Sequence, residues 1–153
     1  KEYNLAGISS STPRMMGFQA DGANPIVRGR PVADPNTIAS AIRIGNPASW
    51  KSALKAKEES GGAIESISDQ EIIDAYKDIA QMEGIFAEPA SAASVAGVRK
   101  LVKSGLSLKD KKVVCILTGT GLKDPELARE TADANLPEMP AEIESLEEFV
   151  NSI

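Results

Sequence analysis

The spacing of apolar residues divides this 153-residue chain into short strand-like and longer helix-like segments. Residues 14–20, 63–67 and 113–117 are short and either apolar or alternating, which predicts strands. The sequence VVCIL at 113–117 is the clearest buried strand, because its apolar run is nearly continuous. A briefer extended segment is predicted at residues 85–86. Apolar positions three or four apart predict helices over residues 36–44, 48–60, 68–82 and 90–103, and a further helix that begins with Asp124 and Pro125.

Local signals at the ends of these helices support the boundaries. Ser68 and Glu71 have the spacing of a capping box, in which the two residues satisfy each other's backbone N–H groups. Gly84 is expected to end that helix. Residues 137–153 predict a proline-punctuated linker and an amphipathic acidic helix. We therefore predict that residues 1–136 form the main unit and that 137–153 are an appendage to it.

The alternation of strands and helices favours an α/β fold with three layers, in which helices flank a small and mainly parallel sheet. Only three or four strands are predicted. A sheet of that size leaves much apolar surface uncovered, so we expect a further segment to complete it.

Composition narrows the chemistry that these elements could support. The chain has no histidine, which excludes Ser-His-Asp and Cys-His catalysis and zinc sites built on histidine pairs, and no metal site is expected. A formal net charge of −5 argues against a nucleic-acid surface. The single cysteine, Cys115, allows no internal disulfide, and a reducing cytoplasm is the expected location. No apolar run reaches the roughly 18–20 residues that span a bilayer.

The strongest candidate site follows the predicted strand at 113–117. The strand leads through Thr118 into a turn that contains Gly119 and Gly121, and a helix follows. In open α/β sheets, ligands bind beyond the carboxyl ends of strands, where such turns cluster. The glycines allow the backbone to approach a flat ligand closely, and Thr118 offers a hydroxyl. A tight strand-to-helix connection without any ligand remains an alternative.

Two further segments carry weaker signals. Glu88 precedes a helix that begins almost entirely with Ala, Ser and Gly, which permits close packing against a backbone or a ligand plane. An acidic residue that simply favours the helix N-terminus is an equally simple interpretation of Glu88. In the sequence AIRIGNPASW, Arg43 and Gly45 stand at a break between two predicted helices. Arg43 suits an anionic partner or a surface ion pair.

At these same segments the chain resembles the threonine synthases. The resemblance rests on PRMMGFQADGANPIVRG, AIRIGNPASW, EGIFAEPASAASVAG and TGTGLKDP, which occur in the family's order and cover roughly residues 1–128. RIGNPASW and TGxGLKDP are fairly specific to threonine synthase. The glutamate-proline segment is shared more loosely with amino-acid dehydratases and tryptophan synthase β chains.

The resemblance implies part of a fold-type-II enzyme that uses pyridoxal 5′-phosphate (PLP) to convert O-phospho-L-homoserine and water into L-threonine and phosphate. It implies that Thr118 hydrogen-bonds the pyridine nitrogen, which a hydroxyl leaves unprotonated, and that Gly119 lies beside the ring edge. Ile44 and Gly45 would border the face of the cofactor, and Glu88 would form the floor near the ring.

The resemblance also implies that some of the machinery is encoded elsewhere. In the family the Schiff-base lysine and the glycine-rich phosphate cradle precede the segments seen here, and no matching context occurs in this sequence. We therefore expect this chain alone, as a C-terminal portion of the enzyme, to contribute no catalytic lysine, to retain no PLP and to be inactive. A homodimer is expected for the full-length enzyme.

Two alternatives stay open. The first is a fragment of a PLP-dependent serine/threonine dehydratase, although those enzymes usually carry glycine in place of Ser91-Ala92 and lack GLKDP. The second is a stand-alone, non-catalytic module that binds a small effector or a partner protein.

Overall fold

A computed structural model describes residues 1–131 and 139–152 of the chain. Within them, helices surround a small parallel sheet. Three-residue 3₁₀ turns occur at Asp21–Ala23, Ser40–Ile42 and Gly121–Lys123. The strands are β1 (Met16–Ala20) and β2 (Ala63–Ile67), and the helices are α1 (Glu2–Leu5), α2 (Pro25–Arg28), α3 (Trp50–Ser60), α4 (Asp69–Glu83), α5 (Pro89–Lys103), α6 (Pro125–Thr131) and α7 (Ile143–Ser152).

The sheet confirms the predicted α/β class and two of the predicted strands. β1 and β2 pair in parallel, from Met16 opposite Ala63 to Ala20 opposite Ile67. Their connection passes through α2 and α3, as a crossover between parallel strands requires. Helix α5 packs on the two strands and on α4. The helices predicted over 48–60, 68–82 and 90–103 are thereby confirmed, with ends shifted by no more than two residues.

Helix α4 begins as its capping signal predicts. The Ser68 hydroxyl accepts a hydrogen bond from the Glu71 N–H at 3.2 Å, and the Glu71 carboxylate accepts one from the Ser68 N–H at 2.8 Å. Gly84 ends the helix with a left-handed φ of 66°, a conformation that glycine adopts without strain. The stretch from 68 to 84 is therefore specified locally.

The core lies between the sheet and the helices α4 and α5. Ile67 and Ile72 are fully buried there, and the ring of Phe18 covers Gly97 so closely that a Cβ at position 97 would lie 2.3 Å from it. The small residues of α5 thus serve packing, because they let the helix approach the sheet. The rest of this core is mostly alanine: Ala20, Ala75, Ala92, Ala93 and Ala96.

The prediction of a helix over residues 36–44 is wrong, since only the 3₁₀ turn Ser40–Ile42 forms there. The carboxylate of Asp69 accepts hydrogen bonds from the Thr37 hydroxyl at 2.5 Å and the Ile38 N–H at 3.1 Å. Arg43 Nε donates to the Thr37 carbonyl at 2.8 Å. The Asp69 carboxylate ties the first residues of this segment to the start of α4, and Arg43 occupies the Thr37 carbonyl that a helix over 36–44 would use as an acceptor. Contacts outside the local apolar pattern therefore decide the conformation.

The strand predicted over 113–117 is also wrong for the part of the chain that the structure describes. The segment has no strand assignment and no described strand pairs with it. Val114 is 84% exposed and Ile116 66% exposed. A strand requires a neighbouring strand for its backbone N–H and C=O groups, and the described residues supply none. Residues 85–86 lead instead to a single antiparallel bridge between Ala87 and Thr120.

The predicted acidic helix near the C-terminus is confirmed as α7. Its Ile143, Leu146 and Val150 are all more than half exposed. The predicted linker falls partly on residues 137 and 138, which lie outside the described residues. The division of the chain at residue 136 stays a prediction.

Candidate functional site

The turn after residues 113–117 is fixed against the start of α5 by backbone hydrogen bonds. The Glu88 N–H donates to the Gly119 carbonyl at 3.0 Å, and the Gly121 N–H donates to the Phe86 carbonyl at 3.0 Å. With the bridge between Ala87 and Thr120, these contacts join the loop before α5 to the turn that contains Gly119 and Gly121. The structure therefore brings together three of the predicted site residues, Thr118, Gly119 and Glu88.

Ser91, in the first turn of α5, contacts the Thr118–Gly119 turn from its buried side. Its Oγ accepts a hydrogen bond from the Gly119 N–H at 2.8 Å and lies 3.1 Å from the Gly119 carbonyl oxygen. It also lies 3.3 Å from the Oγ1 of Thr118. Ser91 is only 1% exposed, whereas Thr118 lies at the surface. The buried Ser91 hydroxyl thus lies within hydrogen-bond distance of the exposed Thr118 hydroxyl.

Glu88 is a buried carboxylate at the same place. The residue is 5% exposed, and its Oε1 accepts the Thr118 hydroxyl at 3.5 Å. Glu88 occupies the N-cap position of α5, yet its side chain makes no capping hydrogen bond. The carboxylate is turned toward the Thr118–Gly119 turn, while the residue keeps the position at the N-terminus of α5 that the helix dipole favours for an acid.

Gly119 is required by the closeness of that carboxylate. A Cβ built at position 119 would lie 2.2 Å from Glu88 Oε1 and 2.4 Å from its Cδ. These distances are far inside van der Waals contact, and the backbone bonds described above hold the turn against the start of α5. Only glycine fits here without a shift of the buried Glu88.

Ile44 and Gly45 form a separate part of the predicted site. Gly45 accepts a hydrogen bond from the Val32 N–H at 2.9 Å, and a Cβ at position 45 would lie 2.0 Å from the Val32 carbonyl oxygen. Ile44 is 48% exposed. Within the described residues no hydrogen bond joins either residue to Glu88 or to the Thr118–Gly119 turn.

Among the described residues, a hydrogen bond that sequence reasoning missed links the two parts, and the 3₁₀ turn Ser40–Ile42 also packs on α5. The Ser40 hydroxyl donates to Asp124 Oδ2 at 3.1 Å, which connects the 3₁₀ turn before Arg43 to the loop after Gly121. Ser91 was missed as a site residue as well. A serine three residues after Glu88, and so on the same face of the first turn, was a usable signal for it.

Two titrating groups stand close to these elements. Burial raises the pKa of the Tyr76 hydroxyl, and the negative charge of Asp124 raises it further. Burial also raises the pKa of the Cys115 thiol, while a hydrogen bond with Ser94 lowers it in part. Both groups are therefore neutral near pH 7, and neither adds a charge to the site.

Within residues 1–131 and 139–152, no cluster of Cys, Asp or Glu could hold a metal ion. None of the described helices is both long and apolar enough to cross a membrane.

Comparison with known families shows the family to which the chain belongs. Residues 3–119 match the family described as "Pyridoxal-phosphate dependent enzyme". The chain belongs to this family of PLP-dependent enzymes.

The curated relatives give a finer similarity. The chain is 52% identical to a threonine synthase of Halalkalibacterium halodurans, over 92% of this chain and 39% of the relative. It is 52% identical to a threonine synthase of Mycobacterium tuberculosis, over 83% of this chain and 35% of the relative. A threonine synthase of Methanocaldococcus jannaschii is 51% identical, over 84% of this chain and 34% of the relative. The chain thus spans less than half the length of these relatives.

Solved structures agree on the fold. Maize serine racemase is similar with a TM-score of 0.60 at 19% identity, over 76% of this chain and 37% of that one. An L-serine ammonia-lyase from the fungus Rhizomucor miehei is similar with a TM-score of 0.58 at 20% identity, over 75% and 40%. These similarities confirm the fold of fold-type-II PLP enzymes. At such low sequence identities they give no information about the substrate.

Proposed function

We propose that this chain is part of a threonine synthase, which converts O-phospho-L-homoserine and water into L-threonine and phosphate when the chain is joined to the remainder of the enzyme. One observation carries the proposal: 52% identity to a protein named threonine synthase over 92% of the chain. The ammonia-lyase and the racemase share only 19–20% sequence identity with the chain. Their shared fold therefore does not indicate which substrate this protein uses.

The cluster at the start of α5 supports PLP as the ligand. Thr118 presents an exposed hydroxyl at the edge of a turn that Ser91 and Glu88 hold from the buried side. A neutral hydroxyl is a suitable partner for a pyridine nitrogen, because it can donate to the unprotonated ring. We assign that contact to Thr118, and the ring edge to Gly119.

Glu88, Ile44 and Gly45 complete the proposed cofactor set. Glu88 is proposed to lie beneath the ring. The Ile44–Gly45 loop is proposed to border the face of the ring, and its link to the same site runs through the hydrogen bond from Ser40 to Asp124. PLP supplies the electron sink that amino-acid chemistry of this kind needs. The residues of this chain bind and orient it.

The lysine that binds PLP covalently and the phosphate cradle are proposed to come from the remainder of the enzyme. The 153-residue chain alone is then expected to lose PLP on dialysis and to release no phosphate from O-phospho-L-homoserine. PLP retained stoichiometrically by the chain alone, and abolished by substitution of one of its own lysines, would contradict this assignment. We propose in addition that the complete enzyme is a cytoplasmic homodimer.

The reaction is tested with the complete enzyme that contains this chain. Phosphate release and L-threonine formation from O-phospho-L-homoserine are measured beside 2-oxoacid formation from L-serine and L-threonine. A threonine synthase gives phosphate and L-threonine. Predominant 2-oxoacid formation would indicate a dehydratase, and the absence of both reactions together with no PLP binding would indicate a non-catalytic module.

The role of Thr118 is tested by Thr118→Ala in the complete enzyme. We expect kcat to fall at least roughly tenfold, because the ring nitrogen loses its partner. PLP retention should change little, since the phosphate and the covalent lysine supply most of the anchoring. Loss of PLP with an unchanged rate per bound cofactor would contradict the role.

A further inference from the structure

We propose that Ser91 is a positioning residue that directs the hydroxyl proton of Thr118 toward the ring nitrogen of bound PLP. The inference rests on the proposed function, because it needs a ring acceptor at Thr118. It concerns a side chain that is 1% exposed and therefore touches no ligand itself.

The argument begins with the single proton on Ser91 Oγ. That oxygen accepts the Gly119 N–H at 2.8 Å, which fixes the orientation of the hydroxyl. Its own proton then has two acceptors within reach, the Gly119 carbonyl at 3.1 Å and Thr118 Oγ1 at 3.3 Å. The carbonyl already accepts the Glu88 N–H at 3.0 Å. Ser91 can therefore donate to Thr118 and leave no backbone group without a partner.

A donation from Ser91 decides what Thr118 does with its proton. Thr118 then uses a lone pair to accept and keeps its O–H free to donate. Within the cluster the only other acceptor for that O–H is Glu88 Oε1, at 3.5 Å, which is the outer limit for a hydrogen bond. A ring nitrogen at an ordinary distance of about 2.8–3.0 Å is the better acceptor. The expected chain of donors runs from Ser91 through Thr118 to the ring.

Ser91→Ala in the complete, PLP-loaded enzyme removes the first link. We expect a kcat reduced roughly three- to tenfold with KM nearly unchanged, since the substrate itself is not contacted. The absorption band of the bound cofactor and its dependence on pH should also shift, because the hydrogen bond to the ring is altered. A merely structural role for Ser91 would not move that band.

The matched control is Ser94→Ala, one turn along α5. The Ser94 hydroxyl donates to the Ser91 carbonyl at 3.0 Å and lies 3.4 Å from the Ile116 carbonyl, and it reaches neither Thr118 nor Gly119. Its spectrum should match that of the parent enzyme. Ser91→Cys keeps a weak donor at nearly the same place and should lie between parent and Ser91→Ala.

A second readout is independent of turnover. In cofactor-free enzyme, the amide exchange of Gly119 should be faster and the χ1 angle of Thr118 more variable in Ser91→Ala than in Ser94→Ala. Parent-like values for both the amide and the cofactor band in Ser91→Ala would overturn the inference. If the parent binds PLP but makes no L-threonine, while Ser91→Ala still shifts the band, the proposed reaction fails and the positioning role of Ser91 stands.

Discussion

Two apolar regions of this molecule end up in opposite environments. The helix–sheet core, formed by β1, β2, α4 and α5, buries Ile67, Ile72 and Ile79 almost completely. The open segment, residues 111–117, has the most continuous apolar run in the chain, yet leaves Val114 and Ile116 mostly exposed. The difference does not lie in hydrophobicity.

The difference lies in whether the chain supplies a partner. β1 and β2 pair along one edge of each other, α5 packs on both strands and α4 packs on α5, so apolar area and hydrogen bonds are gained together. The open segment has one side near α5, through Ser94 and the partly buried Leu117, and no described strand on the other. A strand is thus a property of a pair of segments, and a capped helix is closer to a property of one.

The difference between the two regions is tested most directly by shortening one side chain in each region to alanine. Ile72→Ala in the 153-residue chain should reduce the free energy of unfolding by about 2–5 kcal/mol, because it leaves a cavity in the core. Val114→Ala should change it by less than about 0.5 kcal/mol, since the side chain is already 84% exposed. Urea unfolding measures both. Equal losses would show that the open segment is packed in the isolated chain.

The junction between the two regions is tested by Gly119→Ala. The new Cβ would lie 2.2 Å from Glu88 Oε1, so the buried carboxylate or the turn must move. We expect a loss of about 1–3 kcal/mol in unfolding free energy, as for overpacking elsewhere, together with weaker PLP retention in the complete enzyme. Parent-like stability and PLP retention would mean that the turn is not held against Glu88.

The local contribution to the core is measured with Ser68→Ala. The change removes the hydroxyl that accepts the Glu71 N–H at the start of α4, and should cost about 1 kcal/mol. Gln70→Ala is the control, because Gln70 is exposed in the same turn and bonds only to Asp74. An equal loss in the two variants would remove the capping box from the explanation of why this helix begins where it does.

The smallest effect is expected at Cys115, the half-buried residue of the open segment. Burial raises the pKa of this thiol, so near pH 8 it holds less thiolate than an unperturbed cysteine. Alkylation should be slower in the folded chain than in urea. Because the folded state holds the proton more tightly, this group should also subtract stability as pH rises above the ordinary thiol pKa. Equal alkylation rates in both states would show the segment to be fully open.

Much of the fold was predictable because its signals are local. The capping box at Ser68, the glycine at 84 and the alternation at 63–67 each specify a conformation through neighbours a few residues away. The resemblance of four short segments was likewise enough to predict the family. Of the candidate site, Thr118, Gly119 and Glu88 were candidates from local patterns, their roles came from that resemblance, and the structure brings these three together.

Other features depend on residues far apart in the sequence, so only the tertiary structure decided them. Asp69 ties Thr37 and Ile38 to the start of α4, and Arg43 occupies the Thr37 carbonyl, where the local pattern favours a helix. The open segment stays unpaired because its pairing is not local. Ser91 acquires its place because α5 delivers a buried hydroxyl beneath a turn 28 residues further along the chain. Sequence periodicity determines which face of an element is apolar, whereas the distances between elements determine which polar atoms meet.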